Sequence, residues 1–154
     1  MAQSILFVCL GNICRSPLAE GALQAAARDG EATLEIDSAG TGSWHVGHPP
    51  DGRARAVALA NGVDIGAQRA RQVRAADFDM FDHIVAMDRS VLNDLKALQP
   101  SGSSARLSLF LDHVAGREGE DVTDPYYGED EGFATTWDDV TKGAEALLAA
   151  IIRS

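Results

Sequence analysis

Cys9 and Arg15 are the first two residues whose types and spacing could do chemistry, and five residues separate them. Residues 5–8 (Ile-Leu-Phe-Val) predict a buried parallel strand, and Ser16-Pro17 predicts a helix start with Ser16 as the N-cap. The loop between them would end on a helix N-terminus, where free N–H groups and the helix dipole favour an oxyanion such as phosphate. The sequence therefore predicts an anion-binding loop that holds a nucleophile.

The chemistry that this loop supports is covalent phosphoryl transfer. The field that attracts phosphate also favours the thiolate of Cys9, which is the nucleophilic form of cysteine. The planar guanidinium of Arg15 can hold two phosphate oxygens, while loop amides stabilise the moving charge. A cysteine at a strand end can also be a simple buried residue. The coincidence of strand end, Gly11-Asn12 and a Ser-Pro helix start favours catalysis.

These residues resemble the low-molecular-weight protein-tyrosine-phosphatase family. The family pattern Val-Cys-x-Gly-Asn-Ile-Cys-Arg-Ser-Pro stands at residues 8–17. Further matches occur along essentially the whole chain, at residues 18–20, 37–41, 49–51, 70–73, 87–88 and 124–127. The resemblance implies an α/β fold in a single domain over residues 1–154. It implies a three-layer sandwich whose four-stranded parallel sheet has the order 2-1-3-4, with the phosphate-binding loop between strand 1 and helix 1.

The elements that must position this loop alternate between strands and helices along the chain. Strands are predicted at residues 5–8, 33–37, 84–87 and 107–111. Two helices are predicted at residues 16–29, where Gly30 ends the helix, and at 51–61, where Asp51 is the N-cap. Two more are predicted at residues 89–98, with Asp88 as N-cap, and from the end of the loop 116–132 to Ile152. Such alternation indicates a parallel sheet covered on both faces, which binds ligands beyond the carboxyl ends of its strands, where Cys9 lies.

A second catalytic group is expected because a departing alcohol or phenol oxygen needs a proton. Asp124, which precedes Pro125, is the candidate. An Asp-Pro pair in an arbitrary loop is more typical of a turn. The resemblance implies instead that Asp124 is the general acid, which later activates the water that hydrolyses the phosphocysteine.

The remaining expected site residues bind the substrate or support the loop. The resemblance implies that the substrate is bound by residues of the loop itself and of the helix start, namely Leu10, Gly11, Asn12, Ile13, Cys14 and Ser16. It also implies that the Ser16 hydroxyl forms a hydrogen bond with the Cys9 thiolate. Ser38 and Asn12 are expected to organise the loop through hydrogen bonds. The family commonly carries a His just before its x-Ala-Arg-Gln-Val segment, but Gln68 occupies that place here, so an Asp–His support is not expected.

Aromatic residues on two loops are expected to form a wall beside the cleft. The resemblance implies that Tyr126 and Tyr127 contact the aromatic ring of the substrate, and Trp44 falls on the loop expected to face them. His45 is equally compatible with this wall and with an ordinary loop surface.

Cys14 is expected to be a redox partner of Cys9. Both cysteines lie on one tightly curved loop, and a thiolate is the form that peroxide oxidises first, so a neighbouring thiol can capture the sulfenic acid. The alternative is that Cys14 is a small apolar residue that packs the underside of the loop.

Composition excludes several classes of function. Among 154 residues, 13 are basic and 23 acidic, which gives a net charge of −10 and makes nucleic acid an unsuitable partner. No apolar stretch is long enough for membrane insertion, and the start lacks a basic leader, so a cytoplasmic location is expected. The spacing of His48, His83 and His113 does not suit a metal site, and no cofactor is expected.

The expected function is therefore a metal-independent protein-tyrosine phosphatase. Its partners would be phosphotyrosine-containing proteins, among them a cognate bacterial tyrosine kinase, with inorganic phosphate as product. A protein-arginine phosphatase is the nearer alternative, although relatives of that type carry Thr where this chain has Ile13. An arsenate reductase needs further cysteines, and none follows Cys14. A phosphate-binding module without turnover is the alternative from another class.

Overall fold

The computed structural model, which describes residues 2–153, contains a four-stranded parallel sheet in the order β2-β1-β3-β4. The strands are β1 (Gln3–Cys9), β2 (Leu34–Gly40), β3 (His83–Ala86) and β4 (Arg106–Leu109). The α-helices are α1 (Arg15–Asp29), α2 (Gly52–Ala60), α3 (Asp77–Met80), α4 (Arg89–Leu98) and α5 (Asp130–Arg153). The expected fold class and strand order are confirmed. Met1 and Ser154, which the expected domain 1–154 includes, lie outside the described residues.

The central strand β1 is buried on both faces. Ile5 and Phe7 belong to one hydrophobic core, which α1, α2 and α5 complete. Leu6 and Val8 belong to the other core, which α3 and α4 complete. Because side chains alternate along a strand, the continuous apolar run at residues 5–8 fills both layers and holds the carboxyl end of β1 in a fixed position.

Gly40 lets the loop after β1 pass closely over the end of β2. It is the register partner of Cys9, and a Cβ at this position would lie 2.9 Å from the carbonyl oxygen of Leu10 and 3.1 Å from the amide nitrogen of Asn12. The N–H of Thr41 donates to the Cys9 carbonyl oxygen at 3.0 Å. A side chain at residue 40 would therefore push the loop away from the sheet.

The predicted caps at two helices are confirmed. The Asp51 carboxylate accepts a 2.8 Å hydrogen bond from the N–H of Arg53 at the start of α2. The Asp88 carboxylate accepts one of 2.8 Å from the N–H of Val91 at the start of α4. Helix α1 ends as predicted, with Gly30 as its C-cap.

The prediction that Ser16 is the N-cap of the first helix is wrong. Helix α1 begins at Arg15, and Cys14 occupies the N-cap position without a capping side-chain bond. The Ser16 hydroxyl accepts from the side-chain amide of Asn12 at 2.8 Å and contacts Cys9 Sγ at 3.0 Å. The hydroxyl is thus committed to the loop because the buried sulfur and amide need polar partners.

Several predicted boundaries also differ from the structure. The second strand continues to Gly40 because β1 pairs with it as far as Cys9. The predicted strand 107–111 is instead Arg106–Leu109, since β3 ends at Ala86, the partner of Leu109, and Phe110–His113 forms a 3-10 helix. The third strand is shifted by one residue, the short α3 was not predicted, and α5 begins inside the predicted loop 116–132.

Candidate active site

The loop from Cys9 to Arg15, here called the phosphate loop, wraps around the sulfur of Cys9. Cys9 follows β1 directly, is only 3% exposed and is a free thiol. The N–H of Asn12 donates to Cys9 Sγ at 3.3 Å. Asn12 has a φ of 57°, which is the left-handed backbone region that asparagine tolerates better than most residues. This turn aims the loop inward at the sulfur.

A buried hydrogen-bond network supports the phosphate loop from behind. The side-chain amide of Asn12 donates to Ser16 Oγ at 2.8 Å and to Ser38 Oγ at 3.0 Å. Its carbonyl oxygen accepts from the N–H of Arg71 at 3.0 Å. The Ser16 hydroxyl lies 3.0 Å from Cys9 Sγ and 3.4 Å from the Ala39 carbonyl oxygen, and since a thiolate cannot donate, the hydroxyl is the donor when it bonds to the charged sulfur. The network thereby stabilises negative charge on the sulfur.

The network ends on Glu20, a buried carboxyl group that sequence reasoning did not single out. Ser38 Oγ donates to Glu20 Oε1 at 2.7 Å, and Gln24 Nε2 donates to Glu20 Oε2 at 3.3 Å. Burial and, to a smaller extent, the charge of Asp37 raise the pKa of Glu20 to about 7, although the two hydrogen bonds and the charge of Arg71 oppose the rise. The signal in the sequence was its place one turn after Ser16 on the buried face of α1.

Gln68 occupies the neighbourhood in which the family commonly carries a histidine. Its Nε2 donates to the carbonyl oxygen of Pro17 at 3.2 Å. Its Oε1 is buried and has no hydrogen-bond partner among the described residues. Gln68 therefore braces the first turn of α1 but provides no titratable partner for the network.

Arg15 is buried and held by groups from two other parts of the chain. Its Nη1 lies 2.6 Å from Asp88 Oδ2 and donates to the carbonyl oxygen of Val122 at 3.0 Å, and its Nη2 lies 3.6 Å from Asp124 Oδ2. Burial alone would lower the pKa of Arg15, but the charges of Cys9, Asp88 and Asp124 raise it above its ordinary value. The guanidinium is therefore a fixed cation beside the sulfur.

The ion pair with Arg15 shows a role for Asp88 that sequence reasoning missed. Asp88 was predicted only as a helix cap, but its second carboxylate oxygen holds Arg15. The available signal was that Asp88 follows β3, which pairs with β1, so both strands deliver their next residues to the same edge of the sheet.

A cleft of about 360 Å³ opens above the phosphate loop. Its walls bring together most of the predicted site residues: Cys9, Leu10, Gly11, Ile13, Cys14, Arg15, Trp44, His45, Asp124, Tyr126 and Tyr127. The side chains of Asn12, Ser16 and Ser38 are buried in the supporting network behind the loop. Asn12 and Ser16 therefore support the loop with their side chains, and their contact with a bound phosphate stays a prediction.

The aromatic side of the cleft is built by two loops, as expected. The Tyr126 and Tyr127 rings meet edge to face at 4.9 Å between centroids, and the His45 ring lies 6.2 Å from Tyr126. Trp44 is 68% exposed and Tyr127 91% exposed. Such exposed rings in a cleft offer a surface for a flat apolar group.

Arg53 connects the loop that carries Asp124 to the phosphate loop. Sequence reasoning also missed this role of Arg53. Its guanidinium donates to the carbonyl oxygens of Tyr126 at 3.0 Å and Gly128 at 3.1 Å and pairs with Asp51. The N–H of Asp51 donates to the carbonyl oxygen of Ile13 at 2.8 Å. No local pattern predicts this tie, because 73 residues separate Arg53 from Tyr126.

Cys14 differs from Cys9 in its surroundings. It is buried at the start of α1, and burial, together with the negative charges of Asp51, Cys9 and Asp124, raises the pKa of its thiol. Cys14 is therefore protonated at neutral pH. Of the two cysteines, Cys9 alone receives a hydrogen bond from the loop backbone in the described structure.

Residues 2–153 contain no cluster of three or more His, Cys, Asp or Glu side chains that could hold a metal ion. None of their helices combines the length and apolar character needed to cross a membrane.

Comparison with known proteins extends the likeness over nearly the whole chain. The profile of the family described as low molecular weight phosphotyrosine protein phosphatase matches residues 4–154. A protein of that name from Schizosaccharomyces pombe is 40% identical over 150 residues, covering 96% of each chain.

Solved structures show the same likeness. YfkJ from Bacillus subtilis is 37% identical with a TM-score of 0.92, and the match covers 99% of this chain and 96% of that one. The Drosophila protein DARP, described as an arginine phosphatase, is 31% identical with a TM-score of 0.89, covering 96% of both chains.

Replacing Glu20 should change how the stability of the protein depends on pH. Because the folded state raises the pKa of Glu20 from 4.5 to about 7, its contribution to stability is fully present below pH 4.5 and is lost as pH rises through 7. Between pH 5 and 8, wild type should lose on the order of 2 kcal/mol more free energy of unfolding than Glu20→Gln. Urea unfolding across this range measures the difference.

The control for this measurement is Glu35→Gln, which removes an exposed carboxyl group from β2. Its pH profile should follow that of wild type. Parallel profiles for wild type and Glu20→Gln would show that Glu20 ionises normally in the folded protein.

Proposed function

The chain belongs to the low molecular weight phosphotyrosine protein phosphatase family and is a protein-tyrosine phosphatase, and we propose that it acts through a phosphocysteine formed on Cys9. The observation that carries this assignment is the convergence of three groups in one cleft. Cys9, Arg15 and Asp124 come from the end of β1, the start of α1 and a distant loop. A nucleophile, a fixed cation and a carboxyl group are the set that a two-step phosphoryl transfer requires.

In the first step, the Cys9 thiolate attacks phosphorus and the bond from phosphorus to the tyrosine oxygen breaks. Arg15 and the N–H groups of the phosphate loop hold the equatorial oxygens, because Asp88 and Val122 fix the guanidinium in the cleft. Asp124, in its protonated form, gives its proton to the departing phenolate oxygen. The N–H of Tyr126 orients that carboxyl group through a 3.1 Å hydrogen bond to Oδ1.

In the second step, water attacks the phosphocysteine and the bond from phosphorus to sulfur breaks. Asp124, now ionised, accepts the proton of the attacking water, and inorganic phosphate leaves. The Ser16 hydroxyl, 3.0 Å from Cys9 Sγ, stabilises the departing thiolate by donating a hydrogen bond. Asn12 holds that hydroxyl in place.

The cleft favours a phosphorylated phenol ring as substrate. The buried sulfur of Cys9 lies in a cleft flanked by exposed Trp44 and Tyr127 and by half-buried Tyr126, so a long flat group reaches it better than the short side chain of phosphoserine. Ile13 lines the loop beside the phosphate position and offers no hydroxyl to a guanidino group. Because the similar Drosophila protein is described as an arginine phosphatase, kcat/KM for phosphotyrosine and phosphoarginine peptides should be compared directly.

The physiological setting follows from the same reasoning. The substrates are phosphotyrosine-containing proteins, and we propose a cognate bacterial tyrosine kinase among them and a cytoplasmic location, in which a reactive thiolate is kept reduced. The net charge of −10 supports a protein partner over nucleic acid. We further propose that residues 1–154 form a single phosphatase domain, which the family match over residues 4–154 supports.

We propose that Cys14 protects Cys9 from irreversible oxidation. Both thiols are free, both line the cleft, and the charge of Cys9 raises the pKa of Cys14, which supports their proximity. Peroxide would oxidise Cys9 to a sulfenic acid, and the Cys14 thiol would condense with it, forming a disulfide and releasing water. A thiol such as dithiothreitol would then reduce the disulfide.

Cys9→Ser should abolish turnover of phosphotyrosine peptides while inorganic phosphate or vanadate still binds. The anion site survives in this variant because Arg15 and the loop amides remain, but the hydroxyl is far less nucleophilic than the thiolate. Steady-state kinetics and anion binding by calorimetry measure the two effects. Hydrolysis above background by pure Cys9→Ser would contradict the covalent mechanism.

Asp124→Asn should slow hydrolysis of phenyl phosphate by about 10²–10⁴-fold, because the departing oxygen needs a proton. The loss should be smaller with p-nitrophenyl phosphate, whose leaving group departs more readily as an anion, and burst kinetics separate this step from dephosphorylation. Glu129→Gln is the matched control, since it removes an exposed carboxyl group from the same loop. Equal losses for both substrates would mean that Asp124 only shapes its loop.

Cys14→Ser should retain phosphatase activity but lose recovery after oxidation. Wild type treated with peroxide should be reactivated by dithiothreitol and should show a Cys9–Cys14 crosslink by mass spectrometry, because the second thiol captures the sulfenic acid. The variant has no such thiol and should be inactivated irreversibly. Full recovery of Cys14→Ser at the same peroxide dose would assign Cys14 to packing alone.

A further inference from the structure

A second cavity of about 380 Å³, here called the flanking cavity, adjoins the catalytic cleft. Leu10 and Trp44 line both spaces and therefore form a wall that the two share. The other apolar lining comes from Val73 and from two residues of α4, Leu95 and Leu98. Leu10 and Leu98 are 43% and 38% exposed, so an apolar surface extends from the catalytic cleft into the flanking cavity.

The shared wall is held in a defined position by the backbone beneath it. The Trp44 ring packs so closely on Gly42 that a Cβ at residue 42 would overlap its six-membered ring. The N–H of Gly42 donates to the carbonyl oxygen of Leu10 at 2.9 Å, which fixes this segment to the phosphate loop. A chain bound in the cleft therefore meets the flanking cavity at the Leu10 and Trp44 wall.

The polar residues that line the flanking cavity are Thr41, Gln72 and Asp94, and Asp94 is the charged one among them. Asp94 is exposed on α4, and no cation pairs with its carboxylate among residues 2–153. Gln72 donates its side-chain amide to the carbonyl oxygen of Thr41 at 3.0 Å, which leaves Gln72 Oε1 as an acceptor. No Lys or Arg belongs to the lining, so the cavity combines apolar walls with an unneutralised negative charge.

We propose that the flanking cavity binds an arginine or lysine side chain of the substrate protein, close in sequence to its phosphotyrosine. This inference rests on the proposed function, since the phosphotyrosine must occupy the adjoining cleft. Long basic side chains carry an apolar stem and a charged head, which match the leucine walls and the Asp94 carboxylate respectively. Continuity with the cleft and the overall charge of −10 both support a cationic occupant.

The experiment compares synthetic phosphotyrosine peptides in which Arg, Leu or Glu replaces Ala at each of the two positions on either side of phosphotyrosine. Wild type should hydrolyse the best Arg peptide about fivefold to twentyfold more efficiently than its Ala parent, and the Glu peptide less efficiently than that parent. Each kcat/KM is divided by the value for p-nitrophenyl phosphate, which is too small to reach the flanking cavity. The ratio isolates recognition of the flanking residue.

Asp94→Lys should remove the preference for the Arg peptide and favour the Glu peptide. Asp94→Asn should reduce the preference for Arg to the level that contact of the apolar part of the arginine side chain with the leucine walls provides. The matched control is Asp138→Lys, which makes the same charge change at an exposed position on α5 and should retain the preference for Arg.

The inference would be overturned if wild type showed no preference for Arg at any position, or if Asp94→Lys and Asp138→Lys shifted the preference equally. A Leu preference that Asp94→Lys leaves unchanged would also overturn it, because the occupant would then be apolar. Failure to hydrolyse any phosphotyrosine peptide, with p-nitrophenyl phosphate still hydrolysed, would instead overturn the proposed function.

Discussion

The buried charge of Arg15 is the constraint on which the arrangement of the site depends. A buried guanidinium costs several kcal/mol in desolvation unless it is paired and hydrogen-bonded, and the Arg15 side chain is only 4% exposed. Asp88 and the Val122 carbonyl oxygen provide those partners, and Asp124 lies 3.6 Å away. The end of β3 and the loop after residue 121 must therefore both close on the phosphate loop. The groups that satisfy Arg15 are thus the ones that assemble the catalytic cleft.

The sulfur of Cys9 depends in turn on a network that reaches deep into the first hydrophobic core. Asn12, Ser16 and Ser38 satisfy one another, and Glu20 accepts the last hydrogen bond. Burial raises the pKa of Glu20 to about 7, and the charge of Arg71 lowers it only in part. Below that pH a neutral carboxyl group closes the network at low electrostatic cost.

The two faces of Trp44 connect catalysis to recognition. On one side the ring contributes to the cleft above Cys9, and on the other it lines the flanking cavity beside α4. The close approach of the ring to Gly42 sets this position through the backbone. Substitutions in the catalytic cleft can therefore change specificity for the phosphorylated ring, and substitutions in the flanking cavity can change specificity for the residue beside it. Neither requires a change in the phosphate loop.

The sequence by itself determined the local features of this protein. The apolar run at residues 5–8, the spacing from Cys9 to Arg15, the turn at Asn12 and the carboxylate caps at Asp51 and Asp88 are encoded by neighbouring residues, and they predicted the strand, the phosphate loop and two helix starts. The resemblance added the strand order and Asp124. Strand ends such as Leu109 and Gly40 depended on the length of the partner strand, which no local pattern contains.

Only the tertiary structure decided which groups satisfy the buried ones. The hydrogen-bond partners of Arg15 lie 73 and 107 residues away in the sequence, and the carbonyl groups that accept from Arg53 lie 73 and 75 residues away. The place of Ser16 inside the helix and the second use of Asp88 follow from burial of a sulfur and a guanidinium at one edge of the sheet, and the raised pKa of Glu20 follows from its own burial. Burial is a property of the packed layers, so the sequence could name the chemical groups but not the environment that sets their behaviour.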